Sequence, residues 1–223
     1  MGKYYKNYIL IGYPRTGTSW LGTHFIEYYG KPNYLGEYFS EINDEQSYIQ
    51  KVSFLEKERE INQEEYYIKY LFYQMKEIEQ FYPNWFDNFY KDFEKVKLLN
   101  KNVWRIFLSQ NYQLENDKFE SGSWKIPDYK LKQFSVSLNQ IKKFAKDYSD
   151  FYYYSKYNTL LDYDKIDNEY MMKYLGTKTY RKRNRYIHDY ESFLLGDINL
   201  IKDSLKKEFA RYNIEMLDNG KIS

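Results

Sequence analysis

The segment Tyr8-Ile9-Leu10-Ile11-Gly12-Tyr13-Pro14-Arg15-Thr16-Gly17-Thr18-Ser19-Trp20-Leu21 restricts the fold more than any other stretch of this chain. Ile9, Leu10 and Ile11 form a short apolar run that ends at Gly12. Such a run, without alternation, is the pattern of a parallel strand covered on both faces. Pro14 and Gly17 interrupt the pattern, and Leu21, Phe25 and Tyr28 then recur at helical spacing. A strand, a tight glycine loop and a helix in succession aim backbone N–H groups of the helix start at an anion. The segment therefore predicts an α/β fold with a central parallel sheet flanked by helices, and an anion site at the end of its first strand.

The identity of the anion turns on one position. Gly12 and Gly17 are spaced as in the nucleotide P-loop, but that loop has Lys followed by Ser or Thr after its second glycine. Thr18 occupies the lysine position here, and the cation of the loop is Arg15. A nucleoside triphosphate requires that lysine and a Mg²⁺ held partly by an acid at a later strand end. The second strand candidate, at residues 95–100, ends without Asp or Glu. A shorter phosphosulfate requires hydroxyls, N–H groups and a cation, with no metal.

The run Pro14-Arg15-Thr16-Gly17-Thr18-Ser19-Trp20-Leu21 resembles the phosphosulfate-binding loop of the sulfotransferases. That loop is commonly proline, a basic residue, a small residue, glycine, two hydroxyl residues and tryptophan. The resemblance implies a P-loop-like sulfotransferase architecture of the bacterial or viral carbohydrate type. The donor implied is 3′-phosphoadenosine 5′-phosphosulfate (PAPS), with adenosine 3′,5′-bisphosphate as product. It assigns donor binding to Arg15, Thr16, Gly17, Thr18 and Ser19, adenine contact to Trp20, and stabilisation of the leaving oxygen to Arg15.

Two further segments carry the resemblance. Glu37-Tyr38-Phe39 is similar to a Glu-aromatic-Phe motif after the first helix, whose glutamate acts as base on the acceptor hydroxyl. Lys101 and Ser109 have the eight-residue spacing of a second motif that holds the 3′-phosphate. Arginine is usual where Lys101 stands, and Lys offers a point charge and not a bidentate fork. Arg105, one helical turn before Ser109, is a candidate to compensate.

The most basic run, residues 177–185, contains Lys178 and Arg181. Three readings stay open for it: closure over the nucleotide as in sulfotransferases, nucleic-acid binding, and a solvated loop. A net charge of +2 supplies no global field toward nucleic acid or membrane, so neither is an expected partner. The expected partner is a small-molecule or carbohydrate acceptor bearing a hydroxyl. The absence of Cys removes thiolate chemistry, and two His make no His-rich metal centre. No apolar run reaches membrane-spanning length, from which a cytoplasmic location is expected. A P-loop NTPase or small-molecule kinase, and a non-catalytic nucleotide-binding relative, are the competing function classes.

Residues 64–80 place Tyr67, Leu71, Phe72, Met75 and Ile78 on one helical face and predict a helix. Further helices are predicted over 132–148 and over 167–175, the latter ended by Gly176, and one or two more over 190–209. Residues 151–154 predict a short aromatic strand, and 30–40 a loop. No linker, repeat or low-complexity tail interrupts the 223 residues, which predicts one domain.

Overall fold

A computed structural model of the chain describes residues 7–29, 34–36, 44–62, 66–84, 87, 90–91, 93–116, 132–176 and 189–223. Contacts divide the chain into two compact units, each built from two separated segments. The first comprises residues 1–99 and 155–182, and the second residues 100–154 and 183–223.

The first unit is an α/β layer structure. Strands β1 (Tyr8–Gly12), β2 (Tyr34–Gly36), β3 (Tyr67–Leu71), β4 (Glu94–Leu99) and β5 (Thr159–Asp162) form a five-stranded sheet in the order β2-β3-β1-β4-β5. Every pairing is parallel. Helices α1 (Thr18–Tyr29), α2 (Glu45–Asn62), α3 (Phe72–Phe81) and α6 (Asn168–Leu175) belong to this unit. β1 lies at the centre, and its Ile9, Leu10 and Ile11 are fully buried, as a run without alternation requires.

One face of the sheet packs on α1 and α6. Tyr8, Leu10, Tyr67, Val96, Leu98 and Leu161 from the strands meet Leu21 and Phe25 of α1 and Met171 and Leu175 of α6. Phe25 stacks on Tyr67 with ring centroids 4.2 Å apart. The other face carries Ile9, Ile11, Ile68 and Tyr70, all fully buried, together with Lys97. Lys97 is 2% exposed, and its ammonium stands 5.1 Å from the centre of the Tyr157 ring. Burial lowers this ammonium from its ordinary value of 10.5 to about 8.

The second unit contains α4 (Val103–Asn116), α5 (Leu138–Tyr153) and α7 (Ile198–Ala210). Its core is aromatic: Phe107 packs on Phe144, and Phe209 meets Phe144 and Tyr148 edge to face. Ser137 and Gln140 form a reciprocal capping box at the start of α5. Among the described residues no helix is long and apolar enough to cross a membrane.

Four local expectations change. The helix predicted over 64–80 is instead β3 followed directly by α3. A dense run of aromatic and apolar residues matches helical spacing and buried-strand composition equally, and pairing with β1 and β2 decides for the strand. Residues 151–153, predicted as strand, are the last turn of α5. That helix begins at Leu138, later than predicted, because the capping box fixes its start. It then runs on through Phe151, which continues the apolar stripe of Ile141, Phe144 and Tyr148. The edge strand β5 follows at Thr159–Asp162, and β2 lies inside the loop predicted for 30–40.

Candidate anion-binding site

The loop between β1 and α1 is built from close contacts that its sequence permits. The N–H and the hydroxyl of Thr16 both donate to the Tyr13 carbonyl, at 3.3 and 2.7 Å. Thr16 is fully buried, so its side chain braces the turn. Arg15 takes a left-handed backbone conformation, φ 67°. A side-chain-bearing residue in this region is strained, by roughly 1–2 kcal/mol, and such strain concentrates at functional loops.

Both glycines are required by contact. A Cβ on Gly12 would stand 2.0 Å from the Thr18 Cγ2. Thr18, at the lysine position of a triphosphate loop, therefore packs its methyl group into the hollow at Gly12. Gly17 has φ 97°, and a Cβ there would lie 2.2 Å from Cε2 of Tyr163. The Tyr163 ring, carried just beyond β5, thus floors the loop. The first backbone bond of α1 runs from the Leu21 N–H to the Gly17 carbonyl, at 3.0 Å. The Thr18 and Ser19 N–H groups precede that ladder, at the positive end of the helix dipole. Trp20 is half-buried, edge-on to Tyr163 at 6.1 Å and to His24 at 4.9 Å, and it packs against the core cluster.

A cation absent from the sequence reading completes the loop. Lys69 of β3, only 5% exposed, donates from Nζ to the Ser19 Oγ at 3.3 Å. β3 pairs directly with β1, with Lys69 opposite Leu10, which brings this side chain up beside the loop. The signal in the sequence was a single Lys inside Tyr66-Tyr67-Ile68-Lys69-Tyr70-Leu71-Phe72. Arg15, Thr16, Gly17, Thr18, Ser19 and Trp20 are thus assembled in one unit, with Lys69 and Tyr163 added. The sheet order reverses between β1 and β4, and ligand sites of open α/β sheets lie outside strand ends at such a point.

Lys101 and Ser109 belong to the second unit. Lys101 is half-buried in the turn that leads into α4, and Ser109 is a buried residue of α4. Asn102 caps this helix, its Oδ1 accepting the Arg105 N–H at 3.1 Å. Glu37, Lys178 and Arg181 lie outside the described residues.

No protein-family model and no curated protein matches the chain. Among solved structures, the chain is similar to a crystal structure of a sulfotransferase from Alicyclobacillus acidocaldarius. The match has 15% sequence identity, covers 93% of this chain and 92% of that one, and has a TM-score of 0.42.

Proposed function

We propose that this protein transfers a sulfuryl group from PAPS to a hydroxyl of a small-molecule or carbohydrate acceptor. The observation that carries the reading is the exchange of cations at the loop. Thr18 fills the lysine position with a packed methyl group, while Arg15 within the loop and Lys69 from the neighbouring strand bring positive charge to it. This donor set of hydroxyls, helix-start N–H groups and two cations suits a phosphosulfate.

The donor supplies an activated sulfuryl group: the acceptor oxygen bonds to sulfur as the bond from sulfur to the bridging phosphate oxygen breaks, and that oxygen leaves with the electron pair. Arg15, Lys69 and the N–H groups of Thr18 and Ser19 stabilise the charge gathering on the leaving oxygen. Ser19 holds the Lys69 ammonium in place through their hydrogen bond. Glu37 takes the acceptor proton in this reading, Trp20 borders the adenine, and Lys101 with Ser109 holds the 3′-phosphate. Lys178 and Arg181 are further candidates for donor binding in this reading.

Thermal unfolding with adenosine 3′,5′-bisphosphate tests the reading. Ligand at a hundredfold excess over Kd stabilises the folded state by about 2.7 kcal/mol, a rise in Tm of roughly 5–10 °C for a chain of this size. The rise is expected in EDTA. A rise with ATP and Mg²⁺ but none with the bisphosphate refutes the proposal in favour of a triphosphate enzyme.

A further inference from the structure

Residues 214–223 form a β-hairpin within the second unit. Met216 bridges Ile222, the Leu217 N–H donates to the Lys221 carbonyl at 2.8 Å, and the Gly220 N–H donates back to the Leu217 carbonyl at 2.9 Å. Gly220 takes φ 79°, the left-handed position that closes a three-residue hairpin loop. Ile214, Met216 and Ile222 are buried, so the hairpin is anchored and not a loose end.

What it is anchored to is the turn that carries Lys101. The Ile222 N–H donates to the Lys101 carbonyl at 2.9 Å, and Lys221 bridges Asn102. The Gly220 carbonyl accepts the Trp104 N–H at 3.1 Å. On the preceding residue, the Tyr148 hydroxyl donates to the Asn100 carbonyl. The backbone on both sides of Lys101 is therefore fixed by bonds from elements far away in sequence.

These bonds also use up donors. The first-turn N–H groups of Trp104 and Arg105 go to Gly220 and to the Asn102 side chain and not to an anion. Binding of an anion at the start of α4 then falls to side chains. A lysine is a flexible point charge, and a fixed Cα limits how much freedom it loses on binding.

We propose that the 214–223 hairpin is a positioning element for Lys101, and that Gly220 and Ile222 set the affinity for the 3′-phosphate through it. The proposal rests on the sulfotransferase reading, in which Lys101 meets that phosphate. Gly220 is the point of contact most sensitive to change: a Cβ there would lie 2.5 Å from the Trp104 Cβ, which is rigidly attached to the helix. Gly220→Ala must therefore draw the hairpin away from residue 104. Ile222→Pro removes the hairpin's N–H from the Lys101 carbonyl, which keeps only its bond from the Val103 N–H, and Ile222→Val keeps both.

Calorimetry on the full-length chain, with adenosine 3′,5′-bisphosphate and with 5′-AMP, gives the test. Lys101→Ala should weaken bisphosphate binding by about ten- to a hundredfold, the value of a hydrogen bond to a charged group. Gly220→Ala and Ile222→Pro should each weaken it by about tenfold, leave AMP binding within about twofold, and add little to Lys101→Ala. Ile222→Val should bind as wild type. Amide exchange at Trp104 should quicken in Gly220→Ala, with β1 still protected. Folded variants with wild-type bisphosphate affinity overturn the proposal, as do equal losses for both ligands or losses that multiply with Lys101→Ala. A wild type that binds the two ligands alike fails differently: it removes the sulfotransferase reading, and the hairpin's role with it. Loss of β1 protection in both variants, with Tyr148→Phe leaving bisphosphate affinity unchanged, would also overturn it, since Tyr148 fixes the same turn.

Discussion

Replacing Gly17 by Ala places a methyl group where the Tyr163 ring already is. The Cβ would fall 2.2 Å from Cε2, 2.8 Å from Cδ2 and 3.0 Å from Cζ. Tyr163 is held by its own surroundings, since it is buried, belongs to the core of the first unit, and lies edge-on to Trp20. The ring cannot swing into solvent without opening that core. Two terms add. A side-chain-bearing residue at φ 97° costs roughly 1–2 kcal/mol, and overpacking a filled site costs typically about 1–3 kcal/mol. The expected loss is about 2–5 kcal/mol, seen in urea as a lower midpoint at unchanged slope. The terms separate in a cycle with Tyr163→Ala. Removing the ring abolishes the overpacking but not the backbone strain, so the double variant should be more stable than the sum of the single losses by about 1–3 kcal/mol. Additivity within about 0.5 kcal/mol would refute the assignment of Tyr163 as the floor of the loop.

Lys69→Met keeps the bulk of the side chain in β3 and removes the charge beside Ser19; bisphosphate affinity measured by calorimetry should fall by about tenfold or more, with the fold retained. Glu37→Gln should lower turnover by about 10²–10⁴-fold with donor binding nearly unchanged, read by transfer of labelled sulfate to an acceptor, and a wild-type rate would remove Glu37 from the mechanism. Lys97→Met should raise the unfolding free energy at pH 7 by roughly 1–3 kcal/mol. The sign follows from its depressed ammonium: at pH 7 the folded chain bears the cost of burying the charge, and between about 8 and 10.5 it gives up the proton before the unfolded chain does. Wild-type stability should therefore climb toward that of Lys97→Met over this range, and parallel pH profiles would contradict it.

Much of the candidate site was legible because it is local. β1, the loop and α1 follow one another in residues 8–29, and the apolar run, Pro14 and the two glycines mark each boundary. The end of α6 was equally plain: Asp167 caps its start, and Gly176, at φ 68°, ends it. β3 was not legible, because a strand buried on both faces loses the alternation that separates strand from helix. Residues 151–153 read as a strand for the opposite reason. Their aromatic composition suits a sheet, but the capping box at Ser137 and Gln140 had already set a helix whose stripe reaches Phe151.

The sequence by itself determined the strand, glycine loop and helix, since the conformations of Gly12 to Gly17 depend on neighbours along the chain. It also showed that the lysine of a triphosphate loop was absent. Where a replacement cation comes from was decided by the sheet. Lys69 is fifty residues from Ser19 and meets it only because β3 pairs with β1 in parallel, with Lys69 level with Leu10. The contact that makes Gly17 necessary has the same origin, whereas Gly12 is hemmed in by Thr18 and Thr16 of its own loop. Gly17 signals a turn in any sequence, but the Tyr163 ring that forbids a side chain there arrives with β5, from the far end of the sheet order. Residues 214–223 likewise carry no motif, and reach Lys101 only through backbone bonds to the turn before α4. Periodicity and turn chemistry act over a few residues, whereas these pairings are chosen by which surfaces can be buried together, and that choice exists only in the folded chain.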